Sequence, residues 1–145
     1  MAKGSCLCGA VSFELDKEGV VLAVGCYCSN CRKVSGGQYG VYLQVRPRNF
    51  RWLSGEHEVA TYESSPGNKR GFCTTCGSVA PIATSYGAIR VPGGALDEDP
   101  GVSIDTIIHS TGRTAWCEMD KASNVFPDSG PEDFWRKAII RLYTG

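Results

Sequence analysis

Three thiols fall within six residues in Cys26-Tyr27-Cys28-Ser29-Asn30-Cys31. Four of the remaining five cysteines form two more tight groups, Cys6-Leu7-Cys8-Gly9 and Cys73-Thr74-Thr75-Cys76-Gly77, and Cys117 stands alone. Thiols clustered in this way bind a metal, cycle between dithiol and disulfide, or staple a secreted fold. The two outer pairs together offer four thiolates. Zinc accepts four thiolates tetrahedrally at about 2.3 Å in closed, structural sites. The glycine after each pair, Gly9 or Gly77, lets the chain curl so that amide N–H groups face the sulfurs. The expectation is one structural zinc on Cys6, Cys8, Cys73 and Cys76. More than sixty residues separate the pairs, so such a metal closes a long loop. A redox C-x-x-C pair normally precedes a helix, and Ser78-Val79-Ala80-Pro81 does not begin one. Disulfides are the other alternative.

Cys26, Cys28 and Cys31 supply three thiolates and no evident fourth ligand. Three protein ligands and an exchangeable position are the pattern of a catalytic zinc, so two zinc ions per chain are expected. In the competing reading Cys117 or His109 folds back and closes the site. His57, between Glu56 and Glu58, reads as solvated. Zinc with three thiolates carries a formal charge of about −1. It is then a poor Lewis acid for carbonyls, yet it still accepts an incoming thiol as thiolate. The chemistry expected of Cys26, Cys28 and Cys31 is therefore thiol handling rather than hydrolysis. Arg32 and Lys33 follow directly and could attract an anionic substrate. Gly36 and Gly37 could let backbone N–H groups approach a carboxylate. A plain surface turn is the alternative for these four. There is no Ser–His–Asp set, no phosphate loop and no dinucleotide fingerprint.

The elements that must hold these groups read mainly as strands. Val11, Phe13 and Leu15 alternate with polar residues, so Gly4 to Leu15 is expected to be one strand with Cys6 and Cys8 on the same face. Val20 to Cys26 is an apolar strand, and the stretch from Lys33 to Gly37 reads as a Gly-rich loop. Further strands are expected at Tyr39 to Val45, Phe50 to Leu53, Glu58 to Glu63, Lys69 to Cys73, Ser78 to Ser85, Ala88 to Val91 and Val102 to Ser110. Phe134, Trp135, Ala138, Ile139 and Leu142 recur at helical spacing. They predict a C-terminal helix of about three turns, capped at Asp128 or Ser129 and covering the open side of a sheet.

The chain has 145 residues, with 15 Lys+Arg against 15 Asp+Glu, which reads as one domain without basic excess. Nucleic acid is therefore not an expected partner, although Arg46, Arg48 and Arg51 leave room for a local basic patch. No run approaches the roughly 20 apolar residues of a membrane helix. The N-terminus has no apolar signal core, so a cytoplasmic location is expected, where thiols stay reduced.

Three stretches, Gly4-Ser5-Cys6-Leu7-Cys8-Gly9-Ala10-Val11, Cys26-Tyr27-Cys28-Ser29-Asn30-Cys31-Arg32 and Gly71-Phe72-Cys73-Thr74-Thr75-Cys76-Gly77, resemble a known family in order and spacing. This is the glutathione-dependent formaldehyde-activating enzyme family, which also contains centromere protein V. Gly94-Ala95-Leu96-Asp97 and the segment from His109 to Trp116 match more loosely. The resemblance implies antiparallel sheets around a structural zinc on Cys6, Cys8, Cys73 and Cys76, and a catalytic zinc on Cys26, Cys28 and Cys31. It also implies condensation of glutathione with formaldehyde to S-hydroxymethylglutathione, a carbon–sulfur lyase reaction in the reverse sense. The region from Cys117 to Asp128 departs from the family's usual ending, and the C-terminal helix looks like an addition. The reading carried forward is a mainly β, zinc-dependent carbon–sulfur lyase or thiol-adduct synthase spanning residues 1–145. Its partners would be a small thiol and an aldehyde-type substrate, and a homo-oligomer is compatible with it. The alternative is a non-catalytic, zinc-stabilised binding module.

Overall fold

Twelve short strands and two α-helices form among the described residues. The structure is a computed structural model that describes residues 1–118 and 122–144; the departure between Cys117 and Asp128 lies partly outside them. Three sheets form. β1 (Ala2–Ser5), β2 (Ser12–Leu15) and β5 (Phe50–Ser54) make an antiparallel sheet in that order. β6 (Val59–Ser65), β7 (Asn68–Cys73) and β8 (Val79–Ala80) make a second. The third contains β3 (Val20–Cys26), β4 (Gly40–Val45), β9 (Ile82–Ala83), β10 (Ile89–Pro92), β11 (Thr106–Ile108) and β12 (Asn124–Val125), in the order β12-β11-β3-β4-β10-β9. The mainly β architecture is the expected one. The largest sheet is mixed, because β11 runs parallel to both β3 and β12.

Strand faces decide what each residue meets. Ala23, Leu43, Val45 and Val91 point from β3, β4 and β10 into a core shared with Ala2, Phe13 and Leu15 of the first sheet. Fully burying a side chain of this size stabilises the fold by roughly 1.5–3 kcal/mol. The intervening residues take the opposite face. There Leu22 and Val24 pack against Ala138, Phe134 and Trp135 of α2 (Glu132–Tyr143). A register shift between Val20 and Leu22 brings Val21 to the helix side as well. The C-terminal helix therefore covers a sheet face, as its spacing predicts. Its N-cap is Pro131 rather than Asp128 or Ser129, with Glu132 and Asp133 in the first turn. Its last turn is tied down by Arg46, whose Nε donates to the Arg141 carbonyl (2.9 Å), and by Tyr143, whose hydroxyl donates to the Tyr86 carbonyl (3.1 Å). Arg46 and Arg51 are thus spent locally, the latter on Glu14.

Two local expectations change. Gly4 to Leu15 is not one strand: β1 and β2 form a hairpin, and Cys6-Leu7-Cys8-Gly9 is its turn. The Cys6 N–H donates to the Val11 carbonyl (3.0 Å) and Gly9 turns back at φ 78°. Cys6 and Cys8 thus converge through a turn, not along a strand. The residues from Lys33 to Ser35 are not loop either. They finish α1 (Ser29–Ser35), which Gly36 ends in the left-handed region at φ 68°. The strand expected over Ser78 to Ser85 divides at Pro81, which has no N–H for the ladder.

Candidate metal centres and an arginine-lined cavity

The first cluster forms where two turns meet. One joins β1 to β2, the other joins β7 to β8, and the Cys73 N–H donates to the Ser78 carbonyl while the Gly77 N–H donates to the Cys73 carbonyl (both 2.8 Å). Gly77 adopts φ 74°, close to the 78° of Gly9, so the two turns share a backbone solution. The sulfurs of Cys6, Cys8, Cys73 and Cys76 all lie within 4.8 Å of one another. Cys6 and Cys8 are 3.6 Å apart, and Cys8 and Cys73 are 3.9 Å apart. Four thiolates at about 2.3 Å from a tetrahedral ion would stand about 3.8 Å from each other. The donor set therefore fits zinc in type, number and separation. The Val11 N–H donates to Cys6 Sγ (3.3 Å). The Ser78 and Cys8 amides hold the Cys76 thiol down at about 6. Val11, Val59 and Trp52 pack against this cluster, and Trp52 also joins the main core.

The second cluster combines the end of β3 with the first turn of α1. Alternation points Cys26 to the same face as Leu22 and Val24. Cys28 is the N-cap of α1, and its Sγ accepts the Cys31 N–H at 3.4 Å. The sulfurs of Cys26, Cys28 and Cys31 also lie within 4.8 Å of one another. Among the described residues no fourth Cys, His, Asp or Glu joins them. Cys117, named in the closed reading, is buried, and its thiol donates to Gln38 Oε1 (2.6 Å) and to the Glu118 carbonyl (3.3 Å). His109 stands in the wall beside the cluster, in the left-handed region at φ 52°. A thiophilic ion is compatible with this set, which has three donors where the first has four.

The second cluster opens on a cavity of about 230 Å³. Tyr42 and Gln44 of β4, Arg70 of β7, Arg90 of β10 and Trp135 of α2 form much of its wall. Arg70 is only 8% exposed. Its Nη1 donates to Cys31 Sγ (3.5 Å) and to the Tyr42 hydroxyl (3.1 Å), and its Nε donates to Ser64 Oγ (3.0 Å). Hydrogen bonding from Cys26, then the Arg70 charge, holds the Cys31 thiol down at about 5 against the effect of burial. The Cys31 contact and burial push Cys26 up. Burial, then the charge on Cys31, pushes the Tyr42 phenol up as well, so it keeps its proton.

The four residues expected to meet substrate are elsewhere. Arg32, Lys33, Gly36 and Gly37 do not line this cavity. Arg32 Nε donates to the Tyr27 carbonyl (3.3 Å), and Lys33, Gly36 and Gly37 are exposed on α1 and beyond it. Arg70 and Arg90 are the arginines that line it. Arg90 is a lone arginine inside the otherwise apolar Ile89–Pro92 strand, a sequence signal that could have drawn attention to it; Arg70 follows Asn68 and Lys69 and carries no such signal.

Among the described residues no helix is long and apolar enough to cross a membrane. A curated protein of Halomonas elongata, named "Putative glutathione-dependent formaldehyde-activating enzyme", is 35% identical over 85 residues, which cover 54% of this chain and 53% of that one. The chain thus spans about half the length of this relative. The crystal structure of a Rhodobacter sphaeroides protein superposes with a TM-score of 0.52 at 27% identity, covering 70% of this chain and 90% of the other. The family model described as glutathione-dependent formaldehyde-activating enzyme matches residues 1–111. With its three cysteine motifs inside that match, the chain belongs to the glutathione-dependent formaldehyde-activating enzyme family.

Proposed function

We propose that this protein is a zinc-dependent carbon–sulfur lyase or thiol-adduct synthase that joins a small thiol, glutathione or a relative of it, to a small aldehyde such as formaldehyde. The observation that carries this reading is the contrast in wrapping: four thiols close on themselves, and three open on an arginine-lined cavity. Residues 1–145 would act as one zinc-binding domain in a reducing compartment such as the cytoplasm, where the eight cysteines stay free as they are here.

Cys6, Cys8, Cys73 and Cys76 would hold a structural zinc, and Cys26, Cys28 and Cys31 a second. When bound to the three thiolates, zinc supplies a site that holds a substrate sulfur as thiolate. The chain's own side chains do the rest. Arg70 offsets the negative charge gathered on the cysteines, through Cys31. Tyr42 keeps its proton on Oη and faces the cavity. It can donate to the aldehyde oxygen as charge develops there. Val24, Ile108 and Trp135 form an apolar wall that limits water. In the overall reaction the sulfur–carbon bond forms and the carbonyl π pair moves to oxygen, where the thiol's proton ends. The reverse direction is lyase chemistry.

Exchange between free formaldehyde and its glutathione adduct, followed by NMR at equilibrium, tests the proposal. Zinc-replete protein should accelerate exchange. Cys31→Ser should hold one zinc rather than two and leave exchange at the rate without protein. Equal exchange rates with and without the native protein would sink the catalytic reading and favour a non-catalytic module.

A further inference from the structure

The wall opposite the three cysteines holds more positive charge than their contacts use. Arg70 and Arg90 both lie against Tyr42, with guanidinium carbons 5.8 and 6.0 Å from its ring centre. Two guanidinium groups held around one ring repel each other unless an anion joins them. Among the described residues neither has a carboxylate within salt-bridge distance, and no Asp or Glu lines the cavity. Arg70 commits Nη1 and Nε to Cys31, Tyr42 and Ser64, and its Nη2 has no partner among the described residues. Arg90 commits Nη1 to Asn68 Oδ1 (2.8 Å) and to the Lys69 carbonyl (3.5 Å), and its Nε and Nη2 have no such partner. An Arg70 that is more than nine-tenths buried and still has an unspent N–H group beside a cavity is a built anion site. Gln44, which accepts from the Tyr86 hydroxyl (2.9 Å), borders the same space.

We infer that Arg90, together with the free edge of Arg70, forms a carboxylate subsite that selects thiol acids over neutral or cationic thiols. The inference rests on the proposal that the three-cysteine cluster receives a substrate thiol. The geometry limits the ligand further. Arg70 touches the Cys31 sulfur, so a carboxylate it binds must lie only a few bonds from the substrate sulfur. A cavity of about 230 Å³ is also smaller than the roughly 300–1,000 Å³ that enclose larger ligands. The class is a short mercapto-carboxylate, or a peptide thiol with its carboxylate folded back beside the sulfur. Guanidinium fits a carboxylate with paired N–H donors, which an ammonium cannot do.

The test is a binding panel on the zinc-replete protein, read by calorimetry and independent of turnover. 3-Mercaptopropionate, 2-mercaptoethanol and cysteamine are close in size and differ in charge. The thiol acid should bind about tenfold to a hundredfold tighter than the neutral thiol, and cysteamine weakest. Propionate should compete with 3-mercaptopropionate. Arg90→Met should erase the preference by weakening 3-mercaptopropionate far more than 2-mercaptoethanol, and Arg90→Lys should restore part of it. A neutral pocket effect would move all three thiols together. Equal affinities in the native protein, or a preference untouched by Arg90→Met, overturn the subsite. Selective binding of the thiol acid without accelerated aldehyde exchange would leave the subsite standing and remove the proposed reaction.

Discussion

Cys6, Cys8, Cys73 and Cys76 sit on two turns that face each other, whereas Cys26, Cys28 and Cys31 sit on a strand end and a helix cap. In the first cluster both turns reverse at a glycine, at φ 78° and 74°, and bring amide N–H groups to the sulfurs. Val11, Val59 and Trp52 back it. In the second, the neighbours are a cavity, a tyrosine and two guanidinium groups. The same ligand type thus serves two ends. Backbone turns from distant parts of the chain bring together four thiols that could enclose a metal and tie the fold together. A strand end and a helix cap from one continuous segment bring together three that could hold a metal from one side, leaving the other side to charge and shape.

The largest effect should come from cutting each cluster in turn. Cys73 is fully buried and is one of the two thiols that the β7–β8 turn gives to the proposed structural site. Cys73→Ser should destabilise by more than about 4 kcal/mol, through loss of a structural metal. That corresponds to a fall in Tm of roughly 10 °C or more, visible by calorimetry. Cys31→Ser should lower Tm by much less while removing one zinc and all thiol binding. If the two variants lose equal stability, the division between a structural and a working cluster is wrong.

Acid should separate the clusters next. Protons compete with metal for thiolates, and a three-thiolate site has fewer donors to resist them. Zinc should leave the Cys26 cluster at a higher pH than the Cys6 cluster. The Cys26 hydrogen bond and then the Arg70 charge hold the Cys31 thiol down at about 5, so its thiolate survives as pH falls toward that value. Arg70→Gln removes that charge, lets the Cys31 thiol hold its proton to higher pH, and should move the first release upward by roughly one pH unit. Release followed with a zinc-sensitive dye would show one merged step, or an unmoved first step, if this assignment fails.

The smallest effect concerns the turns. Gly77 and Gly36 both adopt positive φ with open space where a Cβ would stand. Alanine at either should cost about 1–2 kcal/mol from backbone strain alone. Gly77→Ala should also weaken zinc in the four-cysteine cluster, and Gly36→Ala should not. Competition with a chelator of known affinity would distinguish them.

Spacing carried the cysteine groups because ligands that share a turn are neighbours in sequence and their separation is local. The apolar run from Val20 to Cys26 and the strand read from Tyr39 to Val45 placed β3 and β4. The 3.6-residue period marked α2 and the face it buries. The hairpin through Cys6 and Cys8 was missed because alternating residues continued on both sides of the turn. α1 was missed because seven residues are too few for helical spacing to stand out, and its N-cap is a cysteine, outside the usual capping residues.

The sequence by itself therefore determined the two donor sets, the mainly β character and the family, since each is written in local spacing. Only the tertiary structure decided which charges face the open cluster. Arg70 and Arg90 lie on strands of different sheets, and Arg32 and Lys33, next to the cysteines in the chain, turn away on α1. Adjacency along a chain sets which groups share a turn. Adjacency across sheets depends on strand order and register, which no local pattern encodes.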